Sequence, residues 1–366
     1  MWLLLLQSAL SSAGAGEVGS RADPWTGLDR ALATLASAPE SGPFSRGLLL
    51  RAFYSSSPDE AKAVSDDESV SGFTFEDVDL YLAYREGDVA WRVSADLDQG
   101  EVELEDAYAS WQYCDWLALS AGQFKPRVVR SGSVPASELL FRERTFLGAA
   151  FDGWDDGFEL GGHYDQWDYW LALTDGSNGE SSTHFTSARG EWALYDAAFE
   201  DREGAHGAPN HLRVLLGATY FLDAALSNSD GGGWGADLAL TFGPYALHGE
   251  WASLDDEFKR EIDVFNGYRI TLEDGKPLSV TFSRRVARDG EVALRFQRAD
   301  DADTTEAFSV GANWNPGGGP ARFVADLELV DGDTRDFSLF SLGIVLGSSG
   351  LTRPFAGDMV AGDMVQ

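Results

Sequence analysis

The chain has 366 residues, 27 of them Lys or Arg and 60 Asp or Glu, for a formal net charge of −33. So acidic a balance excludes a non-specific nucleic-acid binder, which needs a basic face; a content of 44% hydrophobic and 12% aromatic residues excludes a disordered chain. The single cysteine, Cys114, excludes a disulfide scaffold and a Cys-based zinc site.

The length permits two ordinary domains or one large all-β domain. Residues Met1 to Leu10 form a short apolar run followed by small residues, the outline of a secretory signal peptide over residues 1–15, although the basic n-region is missing. Pro24 to Ala38 predicts one short amphipathic helix, with Leu28, Leu32 and Leu35 on one side, inside a periplasmic lead-in spanning 16–42. No later segment holds the ~18 apolar residues of a membrane helix.

From residue 43 onward the pattern is period-two alternation, which marks strands with one apolar and one polar face. Val78, Leu80, Leu82 and Tyr84 alternate with Asp79, Tyr81, Ala83 and Arg85. The same rhythm returns at Trp91–Asp96, Trp167–Thr174, Leu278–Ser283, Val292–Gln297 and Arg322–Leu329, and Phe337–Leu346 is the last strand expected. Short turn signals fall at Glu86-Gly87-Asp88, Asp98-Gln99-Gly100, Asp274-Gly275-Lys276, Asp289-Gly290 and Asp331-Gly332-Asp333. Longer polar stretches run over Ser55–Ser71, Thr174–Thr186, Glu200–His211 and Asp255–Glu261.

Short turns and long loops together predict a transmembrane antiparallel β-barrel over residues 43–347, with short periplasmic turns and longer external loops. About sixteen strands fit, since each then has about 20 residues including its connection, enough for a strand of ~9–11 residues. Trp111, Tyr113, Trp116, Trp154, Trp167, Trp251 and Trp314 are expected in aromatic girdles. Residues 348–366, with a repeated Gly-Asp-Met-Val, read as a flexible tail. The alternative architecture is a soluble sandwich or jelly roll, which also alternates but buries its apolar face. A barrel in lipid turns Leu80, Leu171, Val280 and Phe323 outward instead.

The stretch from Leu104 to Gly176 is more specific. Leu104-Glu105-Asp106-Ala107-Tyr108 leads to Gly122-Gln123-Phe124-Lys125-Pro126, then to Phe141-Arg142-Glu143-Arg144 and Asp156-Gly157-Phe158-Glu159-Leu160. This order resembles the phosphate-selective porin O/P family of Gram-negative outer membranes. The resemblance implies a sixteen-stranded, homotrimeric porin of the cell outer membrane, passing small anions, phosphate among them, through a lumen lined by arginine and lysine. It carries over to Lys125, Glu143 and Arg144.

The basic residues form islands: five between Lys125 and Arg144, and six between Lys276 and Arg298. Alternation places Arg92, Arg285, Arg295 and Arg322 on the polar face of their strands. A ring of guanidinium groups would give a dehydrating anion hydrogen bonds and positive potential. The candidate anion constriction is therefore Lys125, Arg127, Arg130, Arg142, Arg144, Arg285 and Arg295, against a plainer role for any one arginine in bracing the wall through a carboxylate. The acidic runs Asp66-Asp67-Glu68, Asp255-Asp256-Glu257 and Asp300-Asp301-Ala302-Asp303 read as solvated faces, or as sites for divalent cations shared with lipopolysaccharide.

Enzyme chemistry is weakly represented. The five histidines lack the His-Glu-x-x-His spacing, and no Gly-x-Ser-x-Gly elbow occurs. Gly14 to Gly19 matches a dinucleotide fingerprint by letters but follows no strand. The reading is a porin without cofactor or metal, embedded in outer-membrane lipid, conducting small ionic solutes with an anion or phosphate preference. The alternatives are a cation-preferring porin of the same fold and a secreted all-β carbohydrate-binding or hydrolytic protein.

Overall fold

The structure is a computed structural model describing residues 43–57, 71–98, 102–114, 116–176, 184–195, 201–225, 229–265, 268–301, 304–332 and 336–347. The signal peptide, the lead-in helix, the run Asp66-Asp67-Glu68 and the tail lie outside these residues. Strands β1 (Phe44–Ser56), β2 (Ser71–Glu86), β3 (Val89–Asp96), β4 (Glu103–Cys114) and β5 (Leu117–Phe124) form the first wall. Then come β6 (Asp155–Tyr164), β7 (Trp167–Thr174), β8 (His184–Leu194), β9 (Leu212–Ala225), β10 (Ser229–Phe242) and β11 (Tyr245–Leu254). A separate hairpin follows, β12 (Lys259–Phe265) and β13 (Tyr268–Glu273). The last strands are β14 (Leu278–Arg285), β15 (Gly290–Arg298), β16 (Glu306–Trp314), β17 (Ala321–Asp331) and β18 (Phe337–Gly347). Each barrel strand pairs antiparallel with its predecessor, β14 pairs with β11 across the hairpin, and β1 closes on β18 with Leu50 opposite Leu346. The result is a closed barrel of sixteen strands, which leaves no free sheet edge.

The alternation read from the sequence is the alternation of the wall. On β15, Glu291, Ala293, Arg295 and Gln297 point inward while Val292, Leu294 and Phe296 point outward. Leu80 is 49% exposed, Leu171 49%, Val280 43% and Phe323 40%. Such residues would be buried in a soluble protein; here the charged side chains are inside and the large apolar ones outside. That inversion suits a solvent of lipid and excludes the jelly-roll alternative. Among the described residues no helix is long and apolar enough to cross a membrane.

Exposed aromatics crowd one rim. Trp111 meets Tyr113 edge-on at 5.6 Å, Trp167 stacks on Trp192 at 5.4 Å and Trp314 on Phe323 at 5.4 Å. Trp234 and Trp251, 4.5 Å apart, mark the other rim. Trp154 does not join a girdle: it follows the loop back to β6 and lines the interior.

Three connections differ from the expected layout. Asp255–Glu261 is not a plain loop, because its last residues begin β12. Asp274-Gly275-Lys276 therefore joins the hairpin to β14 and does not connect two paired strands. The connection holding Glu200–His211 leaves β8 at the end of the barrel where short turns join β2 to β3, β6 to β7 and β10 to β11; it is long, but it is not on the long-loop side. The hairpin and the 201–208 segment depart from the layout because they have partners inside the lumen.

Candidate functional site: a lumen closed by two inward segments

Between β5 and β6 the chain turns into the barrel and stays there from Lys125 to Trp154. Gly122, at φ +125°, starts the turn; a Cβ there would run into the Ala107 carbonyl oxygen, so the Gly of Gly-Gln-Phe-Lys-Pro is required sterically. Three short helical turns shape the loop, α1 (Arg130–Ser133), a 3-10 turn (Ala136–Glu138) and α2 (Phe146–Ala150), the last capped by Thr145, whose hydroxyl accepts from the Gly148 N–H at 2.9 Å.

Most of the loop's backbone groups have no ladder to join, so wall side chains satisfy them. Glu250 accepts from the Ser131 N–H at 2.6 Å, Asp326 from the Arg142 N–H at 2.9 Å and Gln297 from the Phe146 N–H at 2.9 Å. Arg189 donates to the Val128 carbonyl at 3.1 Å, Asn313 to Leu140 at 2.7 Å and Arg295 to Glu143 at 2.8 Å. Phe141 packs into the space left by Gly311, where a Cβ would come within 2.8 Å of the ring.

A second segment enters from the opposite end, out of the β8–β9 connection. Asp201 reaches Arg127 at 2.6 Å and Arg130 at 3.7 Å, so the two segments join by ion pairs. The Glu203 N–H donates to the Glu138 carbonyl at 3.2 Å, and the Glu203 carboxylate accepts from the Leu140 N–H at 3.0 Å and from Arg295 at 3.0 and 3.1 Å. Glu291 takes the Ala205 and His206 N–H groups at 2.6 and 3.1 Å. The hairpin closes the remaining space: Phe258, Ile262, Ile270 and Leu272 pack with Val128, Phe146, Phe151 and the wall residues Phe185 and Phe221 in one apolar cluster. This part of the lumen is filled with protein.

What stays open is a cavity of about 420 Å³ between the loop and the wall that includes β1 to β4. Two bulges shape its charge. The β1–β2 register shifts at Arg51/Ala52, and consecutive Glu76 and Asp77 both reach the cavity; the β3–β4 register shifts at Val93/Ala95, and Glu105 and Asp106 do likewise. A bulge re-aims a side chain that strict alternation would send to the other face.

Among the described residues, nine carboxylates and six basic groups line this space. Every one of the bases is in an ion pair. Arg51 holds Asp77, Arg92 holds Asp106 at 2.8 Å and Arg127 holds Asp201. Asp152 bridges Lys125 and Arg144, the latter at 2.7 Å, and Arg142 divides itself between Glu76 and Glu143, the latter at 3.3 Å. Lys125 also lies over the Trp154 ring at 4.0 Å, and Arg127 over Trp170 at 4.6 Å.

The surroundings displace several titrations in the loops. Burial lowers the Lys125 ammonium below the ordinary lysine range, and Asp152 offsets this only in part. Burial pushes the Asp201 carboxyl up, but Arg127 and Arg130 outweigh it and hold it below the usual carboxylate range. Glu143 moves the other way: burial, with Glu76 nearby, raises it to about 7 against the pull of Arg142.

Of the residues singled out in the sequence, Lys125, Arg127, Arg142 and Arg144 line the cavity together. Arg130 and the wholly buried Arg295 stand behind the loop and tie the second segment in place. Arg285, at the turn end of β14, is not brought to the cluster. Sequence reading missed Asp152, Asp201, Glu203 and Arg51, whose partners lie far along the chain; only the surplus of lumen-side arginines hinted that buried acids must answer them.

No protein-family model and no curated protein matches the chain. Solved structures do. An anion-selective porin from Comamonas acidovorans is similar at TM-score 0.57 and 11% identity, covering 83% of this chain and 99% of that one. OprB from Pseudomonas putida gives TM-score 0.62 and 10% identity, over 88% and 97%. A substituted porin of Rh. blastica gives 0.52 and 12%, over 83% and 99%. At these identities the likeness is one of fold. It does not single out the phosphate-selective O/P family. The closed barrel, its lipid-facing surface and its infolded loop define an outer-membrane-type β-barrel of the porin fold.

Proposed function

We propose that the protein is an outer-membrane porin through which small ionic solutes diffuse passively, by way of a narrow opening beside the infolded loop, with a preference for cations. One observation carries the preference. The cavity has three more carboxylates than bases, and each base already faces a carboxylate. A guanidinium group committed to an acid offers little field to a passing anion, whereas the surplus carboxylates offer theirs to a cation. The basic run that suggested an anion constriction therefore serves here to hold the loop in place. Assembly as a homotrimer in lipid and lipopolysaccharide, which the Leu104–Gly176 resemblance implies, belongs to the same proposal. Light scattering of the detergent-purified protein is expected to give a trimer's mass; a monomer would remove that part.

The proposal is tested by reconstitution. Liposomes carrying the folded protein are expected to swell in small sugars and amino acids and to resist swelling in larger ones. Liposomes as tight as protein-free controls would overturn the porin reading.

A further inference from the structure

Seven of the cavity's nine carboxylates have a basic partner, the seventh being Glu261 with Arg269 at 3.4 Å. Among the described residues Asp79 and Glu105 have none. Asp79, on β2, is only 7% exposed, lines the cavity, and its Oδ1 has no hydrogen-bond partner. Opposite it in the β2–β3 ladder stands another acid, Asp96, whose Oδ1 is taken by the backbone N–H groups of Val78 and Asp98 at 3.1 and 3.0 Å. Glu105 receives one long hydrogen bond from the Ser94 hydroxyl, 3.3 Å. The nearby cations are engaged elsewhere: Arg51 with Asp77 and the Arg142 carbonyl, Arg92 with Asp106, Lys125 with Asp152. A buried carboxylate without a basic partner is costly to keep, and Asp79 lines the cavity.

We infer that Asp79, assisted by Glu105, is a binding point for a small organic cation with N–H donors, an alkylguanidinium or primary alkylammonium group, inside the cavity. Such a group supplies what the site lacks, a positive charge with directed N–H donors for the Asp79 and Glu105 carboxylates that line the cavity. Among the described residues no group of His, Cys, Asp and Glu is arranged to hold a metal ion, which favours an organic cation over an inorganic one. A space of about 420 Å³ takes a solute of this size. The inference deepens the cation-preferring porin reading and names the class of solute.

Methylguanidinium is the probe, with tetramethylammonium, which has no N–H donor, as its control. Calorimetry on the detergent-folded protein is expected to show methylguanidinium binding that weakens about tenfold in Asp79→Asn and less in Glu105→Gln, and no comparable binding of tetramethylammonium. In planar bilayers the same probe is expected to interrupt the potassium current of the wild type and not that of Asp79→Asn. Asp79→Asn removes one of two facing acids, so its barrel is expected to keep its folded gel mobility and to melt no lower than the wild type. Equal affinity in wild type and Asp79→Asn, or equal binding of both probes, would overturn the inference. Absence of any current would count against the porin reading alone, because the calorimetry decides the binding point without it.

Discussion

Arg127 and Asp201 stand 2.6 Å apart although they belong to segments that enter the barrel from opposite ends. Their contact, with Arg130 on the same carboxylate, makes the Lys125–Trp154 loop and the 201–208 segment one internal body. The wall then braces that body through Arg295, Glu291 and Glu250. The cavity beside β1 to β4 is what this body leaves open.

Asp201→Asn removes the carboxylate charge that Arg127 and Arg130 share and leaves more positive charge near the cavity. The cation preference is expected to fall and the open current to become noisier. Reversal potentials and single-channel traces check both; wild-type values in each would show that the joint does not govern passage.

Glu203→Ala removes the carboxylate that answers Arg295, a guanidinium with no exposure at all. Breaking one side of a buried pair costs about 3–5 kcal/mol. The variant is expected to unfold at lower denaturant than the wild type and to conduct more as the 201–208 segment loosens. Glu203→Gln, which can still accept from the Leu140 N–H, is expected to lose less. Conductance equal to wild type in a folded Glu203→Ala barrel would show that this segment blocks nothing.

Glu143 supplies a pH dependence. Its carboxyl, raised to about 7, is neutral below that pH and charged above it. The cavity's negative excess therefore grows as pH rises from 6 to 8, and cation preference is expected to grow with it. Glu143→Gln should reduce that change, and the difference between the two curves isolates this one group. Superimposable curves would remove Glu143 from the passage.

The strands were legible because lipid outside and charge inside impose a strict period of two, visible even in six residues such as Leu278–Ser283. Three features broke the rule. The bulges at Glu76-Asp77 and Glu105-Asp106 turn both members of each acidic pair inward, which no alternation predicts. The β12–β13 hairpin carries apolar residues that face an internal core, so Ile262, Ile270 and Leu272 read neither as wall nor as loop. The basic island at Lys125–Arg144 was visible, but its meaning depended on acids such as Asp201, 74 residues from Arg127. A one-dimensional count of charge could not separate a ring facing solvent from a brace facing protein.

Leu294→Arg tests the lipid face. Leu294 points outward from the middle of β15, between inward Ala293 and Arg295. An arginine near the bilayer midplane costs about 2–4 kcal/mol. The variant is expected to fold into lipid vesicles with a lower midpoint against urea, while Leu294→Phe stays near wild type. No difference between the two would argue that this face does not meet lipid.

Paired bases and surplus acids are proposed to make the opening cation-preferring. The most direct measurement is the reversal potential of the wild-type channel in a planar bilayer under a KCl gradient. The expected potential is displaced toward the potassium equilibrium value, and more so at pH 8 than at pH 6. A potential displaced toward the chloride value would contradict it and return the constriction to Lys125, Arg127, Arg142 and Arg144.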